Sequence, residues 1–532
     1  MPYNWNKIEQ DAHLSHEEQL GYEAGAEGLG KDQNPHQKQS SLEYMAWCIG
    51  WQKAQNKKNK QTEDSGELGE KCGVFGVYGK NLDVARLTFF GLYSLQHRGQ
   101  ESSGIAVGNG YNIDCYKNTG LVAQVFKEET IQNLKGFVSI GHNRYSTSHG
   151  TGLKHAQPVI VRDGALALAH NGNLPSISAL KEFLEGKDIS THGCNDSELM
   201  AKAIGYYLEH KHSLADAIKK AYPLFTGAFS LLVMTKNEIA AVRDSYGIRP
   251  LCMGKLNGGY VIASESCALK TVGSNISCEI QPGELVTINE KGISHYQITP
   301  SKPKVDIFEF VYFARPDSEI SGQSVYQVRK RCGMELAKEF KMEADMIVPV
   351  PETAYPVAFG YSQSTGIPVE QGLIKNRYIH RTFIEPEQHA REKNANMKLN
   401  AMRHVLLGKR VILIDDSIVR GTTSKNLIGA IFKAGAEEVH FLVSSPPVMY
   451  PDFYGIDTPR QKDLIGANKS VKEIKQFLGA TSLYYLSLEG LIKATGIPKN
   501  NLCTSCFTGE YPIDIKEKAE EIKKVEFEKA AA

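Results

Sequence analysis

The chain has 532 residues, 41% of them apolar and 23% charged, with 61 basic against 60 acidic side chains. That length exceeds what one hydrophobic core normally fills, so two large domains and an appendage are predicted. The near-neutral balance supplies no global field for DNA or an anionic membrane, no apolar run reaches the roughly 18 residues of a membrane span, and the amino terminus lacks a secretory layout; a cytoplasmic protein acting on small anionic substrates is expected.

Residues 1–52 are polar, with Gly21, Gly25, Gly28 and Gly30 closely spaced and Trp47, Gly50 and Trp51 near the end, which predicts a small helical module with a thin core. Residues 53–71 have almost no apolar content and read as an exposed linker or propeptide. A domain is therefore expected to begin at Cys72. Ten cysteines without dense regular spacing argue for thiols with individual roles rather than a disulfide framework.

Over residues 72–305, short apolar runs at 74–78, 105–107, 138–140, 166–169, 229–234, 239–242 and 260–263 predict strands, with helices at 178–184 and 198–209 between them. The pattern is that of a layered α/β domain rich in antiparallel strands. Cys72 sits where the linker meets the first strand. A buried cysteine is ordinarily a small hydrophobe, but cleavage after Lys71 would leave this thiol beside its own α-amine, which titrates near pH ~8 and can serve as its base. Such a nucleophile needs oxyanion donors and anchors for a zwitterion. Candidates follow in order: Arg98, Arg144 with Thr147, Asn171 with Gly172, and Asp196. Arginine suits a carboxylate, aspartate suits an ammonium, and an Asn-Gly pair offers an amide and a backbone N–H, although singly each is also a turn residue.

As an ordered set these residues resemble the class II glutamine amidotransferase domain, an N-terminal-nucleophile fold of αββα layers. The resemblance implies Cys72 as nucleophile and Asn171 with Gly172 as oxyanion hole. It also implies that Arg144 and Asp196 hold the α-carboxylate and α-amino groups of glutamine, with Thr147 and Arg98 nearby.

Over residues 306–480 the pattern changes. Apolar runs at 345–350, 410–414 and 439–443 predict buried parallel strands, and Leu427, Ile428, Ile431 and Phe432 at helical spacing before Gly435 predict the helix between the last two. This is a strand-helix-strand unit of a doubly wound parallel sheet. Asp415 and Asp416 end one strand, so both carboxylates should emerge at the carboxyl edge, where such folds bind ligands; a solvated turn is the alternative. Ser417, Arg420, Gly421, Thr422 and Thr423 can turn N–H groups and hydroxyls toward a phosphate at the next helix. Residues 411–423 (VILIDDSIVRGTT) resemble the phosphoribosyl-pyrophosphate loop of type I phosphoribosyltransferases. That resemblance implies that Asp415 and Asp416 grip ribose hydroxyls and Mg²⁺, with Thr353 of the matching segment 349–353 near the metal. Residues 375–400 are long and basic and read as a lid, with Lys375, Arg377, Arg381 and Lys398 closing over pyrophosphate; an ordinary exposed loop is the alternative. Residues 481–532 form a C-terminal extension whose last part alternates Lys and Glu and reads as a solvated helix of little chemical interest.

A glutaminase followed by this transferase resembles the amidophosphoribosyltransferase family, and residues 308–318 are similar to its interdomain segment. The resemblance implies glutamine hydrolysis at Cys72, internal passage of ammonia, and its displacement of pyrophosphate from C1 of the activated ribose to give 5-phosphoribosylamine, the first step of purine biosynthesis. It further implies Mg²⁺, a homotetramer or homodimer, and purine nucleotide inhibitors. Some members carry a 4Fe–4S cluster on four cysteines; here Cys267, Cys503 and Cys506 match, while Asp452 stands at the fourth position, so structural thiols are the favoured reading. Residues 1–52 resemble the ribosome modulation factor module, which would imply ribosome contact; whether residues 1–71 are a binding unit, a removable propeptide or a fusion stays open. The competing reading of the whole chain is an unprocessed, inactive protein that senses nucleotide or phosphoribosyl pyrophosphate.

Overall fold

The apolar runs that follow Cys72 become two stacked antiparallel sheets. In chain order the strands are β1 Gly73–Tyr78, β2 Ser102–Gly108, β3 Ile113–Thr119, β4 Val138–Arg144, β5 Val159–Val161, β6 Leu166–Ser176, β7 Thr226–Met234, β8 Ile239–Arg243, β9 Cys252–Leu256, β10 Gly259–Ala263, β11 Asn275–Glu279, β12 Glu284–Asn289 and β13 Gly292–Gln297. The first sheet has the order β11-β9-β10-β1-β4-β2-β3 and the second β13-β12-β8-β7-β6-β5.

The two-residue period of a strand assigns the layers. Val74 and Ile140 of the first sheet meet Ala169, Leu232 and Ala241 of the second in an apolar layer between the sheets. Phe75, Val77 and Val261 point the other way, against Val84 and Leu92 of the helix Val84–Ser94. On the far side, Leu168, Leu231 and Val233 pack against Leu199 and Ile204 of the helix Asp196–Glu209 and Ile218 of the helix Leu214–Ala221. Each such fully buried aliphatic side chain contributes roughly 1.5–3 kcal/mol. The expected αββα layering is present.

The structure is a computed structural model in which residues 72–145, 153–376, 399–455 and 460–531 are described. The expected amino-terminal module (1–52), the linker (53–71), Thr147, Arg377, Arg381 and Lys398 lie outside the described residues. One compact unit comprises Glu67–Ile374 with Ala401–Ala532; the other, Met1–Gly66 with Lys375–Asn400, falls almost wholly outside the description.

The second half is built on parallel strands Met346–Pro349, Arg410–Asp415, Glu438–Val443 and Ser482–Tyr485, in that spatial order. A parallel bridge from Ile347 to Val369 extends the sheet on the opposite side of its first strand. The chain thus departs in one direction and then the other, and the topological switch lies between Met346–Pro349 and Arg410–Asp415, at whose carboxyl ends a ligand crevice forms. Helices Tyr355–Thr365 and Thr422–Lys433 follow these two strands. The fourth strand lies beyond the boundary expected at 480: its sequence, SLYY, is only four residues long and carried too little periodicity to be recognised.

The two halves are stitched together. Val305–Asp306 pairs in parallel with Leu502–Cys503, placing Asp306 opposite Cys503. A π-helical turn, Glu309–Phe313, follows and leads into the helix Val325–Glu339. The helix Lys516–Ala531 returns to the first half, where Glu517 accepts hydrogen bonds from Ser176 Oγ at 2.5 Å and from the N–H groups of Ile177 at 3.2 Å and Ser178 at 3.4 Å. The tail expected to be merely solvated therefore caps the helix that begins at Ser178.

Candidate functional site

Cys72 precedes β1, and its Sγ lies 4.0 Å from the carbonyl oxygen of Tyr145, the residue just past β4. Burial pushes the Cys72 thiol up, with the Tyr145 backbone and the Arg144 charge opposing the rise and Glu101 and Asp196 adding to it. The fold therefore gathers Cys72, Arg144 and Asp196 within one electrostatic neighbourhood, as expected, and adds Glu101, which the sequence reading missed. Arg144 Nη1 donates to Glu101 Oε1 at 3.0 Å. A thiol raised by burial is a poor nucleophile unaided, so this pocket calls for a nearby base.

Asn171 and Gly172 lie midway along β6. Gly172 has φ of +149°, and a Cβ there would sit 2.0 Å from the Ala228 carbonyl oxygen of β7, so no other residue fits. Register shifts between Asn173 and Ser176, an irregularity that re-aims this stretch of strand. The Asn171 amide donates to Ser264 Oγ at 3.4 Å, and the same hydroxyl accepts the Val74 N–H at 2.9 Å. Ser264, also missed, ties the oxyanion candidate to the strand that follows the nucleophile.

Asp196 opens its helix behind Asn195, which caps it reciprocally with Glu198 at 2.9 and 2.8 Å. Asp196 Oδ1 accepts from the Ser197 N–H at 2.7 Å, and Oδ2 from the Leu174 N–H at 3.2 Å, which locks the helix start to β6. Beneath it His170 Nδ1 lies 3.1 Å from Ser197 Oγ and 3.7 Å from Asp196 Oδ2, its pKa lowered by burial.

Arg98 is placed differently from the expectation of a glutamine contact. It is buried, and its Nε donates to the Cys72 carbonyl oxygen at 3.2 Å. Nη1 reaches Glu265 Oε1 at 2.5 Å and Glu309 Oε2 at 3.1 Å, and Nη2 reaches Glu309 Oε1 at 2.9 Å. Burial alone would lower its pKa, but the two carboxylates outweigh it and raise it. Arg98 thus holds the backbone of Cys72.

The second constellation lies at the switch point. Asp415 Oδ1 accepts the Asp416 N–H at 2.9 Å, Thr353 Oγ1 donates to Asp416 Oδ2, and Ser417 Oγ donates to Asp416 Oδ1 at 2.5 Å. Two neighbouring strands thus present one cluster of oxygens. Gly421, with φ of +80°, then turns the chain into the helix Thr422–Lys433; a Cβ there would lie 2.9 Å from Ile465 Cδ1. Thr422 and Thr423 open that helix, where exposed N–H groups favour an anion. Lys375 ends the strand Leu373–Lys375.

The proposed cluster ligands do not come together as a set. Cys267 contacts Ser94 at 3.9 Å and Glu265 at 3.7 Å in the helical layer on the first sheet. Cys503 and Cys506 lie instead near Asp306 and Asp452. Those two carboxylates face Arg249, whose Nη1 is 2.7 Å from Asp306 and whose Nη2 is 3.5 Å from Asp452. Among the described residues no group of three or more His, Cys, Asp or Glu side chains is arranged to hold a metal. A cluster takes four thiolates, whereas the fourth position here is a carboxylate already paired with Arg249 and Cys267 lies in a different layer, so these residues do not fit one.

Residues 142–271 match the family model of a glutamine amidotransferase domain. The chain is 46% identical over 458 residues to the amidophosphoribosyltransferase of Synechocystis sp., covering 84% of this chain and 92% of that protein. It is 45% identical to the amidophosphoribosyltransferase of Methanocaldococcus jannaschii, covering 84% of this chain and 98% of that one. Among solved structures, the glutamine phosphoribosylpyrophosphate amidotransferase of B. subtilis, complexed with ADP and GMP, superposes with a TM-score of 0.78 at 42% identity, over 84% of this chain and 98% of that chain.

Proposed function

The chain belongs to the amidophosphoribosyltransferase family, which performs the first step of purine biosynthesis, and from that premise we propose how its residues divide the reaction. Cys72 Sγ attacks the side-chain carbonyl of glutamine, the amide nitrogen leaves as ammonia, and water hydrolyses the thioester to release glutamate and restore the thiol. Arg144 and Asp196 hold the α-carboxylate and α-ammonium, and Asn171 with Gly172 donates to the oxyanion. The α-amine freed by cleavage after Lys71 supplies the base that a partly buried thiol, pushed up by its surroundings, requires.

At the second site the ammonia nitrogen forms a bond to C1 of phosphoribosyl pyrophosphate as the C1–O bond to pyrophosphate breaks. Asp415 and Asp416 orient the ribose hydroxyls, while Ser417, Arg420, Gly421, Thr422 and Thr423 cradle the 5-phosphate. Lys375, with Arg377, Arg381 and Lys398, closes over pyrophosphate. The oxygen-only donor set of Thr353, Asp415 and Asp416 suits Mg²⁺, which when bound would neutralise the pyrophosphate leaving group. Purine nucleotides act as inhibitors of a homo-oligomer in this reading.

The observation that carries it is the coexistence, in one compact unit, of the Cys72 pocket and the Thr353–Asp416 cluster at a sheet switch point. A purely sensing, inactive protein has no use for a nucleophile held by its backbone as Arg98 holds Cys72, and the family comparison does not favour it. The test is pyrophosphate release measured with glutamine and, separately, with ammonium salts. Release with both supports the reading; release with neither overturns it.

A further inference from the structure

Strand β6 carries the oxyanion pair, and a segment from the transferase half sits directly on it. Asn173, next to Gly172, donates its amide to the Phe453 carbonyl oxygen at 2.8 Å. Gly455 has φ of +115°, and a Cβ there would lie 3.3 Å from both the carbonyl carbon and oxygen of Gly172 and 3.3 Å from Arg249 Nη2. Arg249 is buried and donates through Nε to the Tyr454 carbonyl oxygen at 2.7 Å, with Nη2 reaching the same atom. Its ion pairs run to Asp306 and Asp452, and Asp452 in turn accepts the Tyr454 N–H at 2.8 Å. The Tyr454 hydroxyl closes the knot by donating to Ile513 O at 2.9 Å. Asn173, Arg249 and Asp452 together fix the backbone of residues 453 and 454, and the neighbouring Gly455 abuts Gly172.

We propose that residues 452–455, clamped by Arg249, are a positioning element for the Gly172 backbone, so that glutamine hydrolysis depends on the transferase half that supplies them. Asp452 then stands where a cluster ligand was expected because it completes the ion pair that holds this segment. The residues act through Gly172 and touch neither substrate, and the inference rests on the reading of Asn171 and Gly172 as oxyanion donors. A loosened Gly172 N–H weakens in the transition state without changing how the glutamine zwitterion is anchored, so the effect falls on kcat for glutamine rather than on KM.

The experiment compares Gly455→Ala, Asn173→Ala and Asn171→Ala in the full-length protein, measuring glutamine- and ammonia-dependent phosphoribosylamine formation with thermal midpoints. Gly455→Ala forces a Cβ against Gly172, and Asn173→Ala removes the tie to Phe453 with little steric cost, so the second variant decides if the first fails to fold. The expected result is a fall in glutamine kcat of about tenfold or more in both, with glutamine KM and the ammonia-dependent rate within about twofold. Equal loss of the two rates, or no loss of either, overturns the proposal. Asn171→Ala separates the two readings: if it loses glutamine turnover while Gly455→Ala and Asn173→Ala keep it, only the positioning role fails, and if it keeps turnover, the oxyanion assignment itself fails.

Discussion

Arg98 Nη2 donates to Glu309 Oε1 at 2.9 Å across 211 positions of sequence, and both side chains are buried. Because the same guanidinium holds the Cys72 carbonyl oxygen, the first residue of the π-helical turn Glu309–Phe313 is one ion pair away from the Cys72 backbone. Arg329 of the next helix fixes that turn in place, donating to the carbonyl oxygens of Phe310 at 2.8 Å and Ala314 at 2.8 Å. Cys72 is thereby positioned by residues that lead into the transferase half.

Glu309→Gln keeps an oxygen acceptor but removes one of the two charges that balance Arg98. Removing one partner of a buried pair typically costs about 3–5 kcal/mol, and the retained amide oxygen should bring the cost to the lower end. A lowered thermal midpoint with glutamine turnover reduced more than ammonia-dependent turnover is expected, measured by calorimetry and paired assays.

Gly172→Ala places a Cβ 2.0 Å from Ala228 O at a positive φ. The strands β6 and β7 must part to accommodate it, so glutamine hydrolysis should fall by roughly 100-fold or more, as for loss of an oxyanion donor. Steady-state glutaminase assays on the soluble variant check this.

Thr353→Val and Asp416→Asn act on the other site. Both should lower glutamine-dependent and ammonia-dependent phosphoribosylamine formation in the same proportion, Asp416→Asn the more strongly because Asp416 accepts two hydroxyl hydrogen bonds. Isothermal titration with phosphoribosyl pyrophosphate and Mg²⁺ is expected to show weakened binding.

His142 is buried and its pKa is lowered to about 3, chiefly by burial, with its Nε2 3.0 Å from the His170 carbonyl oxygen. The unfolded chain takes up a proton there near pH ~6.5 that the folded chain refuses until about 3, so this residue's contribution is present above ~6.5 and is lost as pH falls through that window. The drop in thermal midpoint between about pH 7 and pH 5 should be smaller in His142→Gln than in the parent.

Much of the candidate site was legible because its residues come in strings. Asn171 and Gly172, Asp196 after Asn195, and the acidic pair ending an apolar strand are local patterns, and the structure sets them on β6, at a helix start and at the carboxyl end of a parallel strand. Glu101, Ser264 and Glu265 were invisible because each acts on a partner far along the chain, and a single Glu or Ser in an ordinary stretch carries no signal. Arg98 was legible as important but not as inward-facing, since its carboxylate partners are equally remote. Strand β3, IDCYKNT, escaped notice because an edge strand with mixed faces lacks apolar periodicity. The Lys-Glu tail concealed Glu517 for the converse reason: a solvated helix and a capping carboxylate on one look the same in sequence.

Processing at Cys72 is checked by mass spectrometry of the amino terminus of the active protein. A mature chain starting at Cys72 is expected; full glutaminase activity in a chain that keeps residues 1–71 would contradict the α-amine as base.

The division of labour between the two halves is tested most directly by Cys72→Ala assayed side by side with glutamine and with ammonia. The account predicts that phosphoribosylamine formation from glutamine disappears while formation from ammonia persists at close to the parent rate. Simultaneous loss of both in a folded protein, or glutamine-dependent formation that survives, would contradict it.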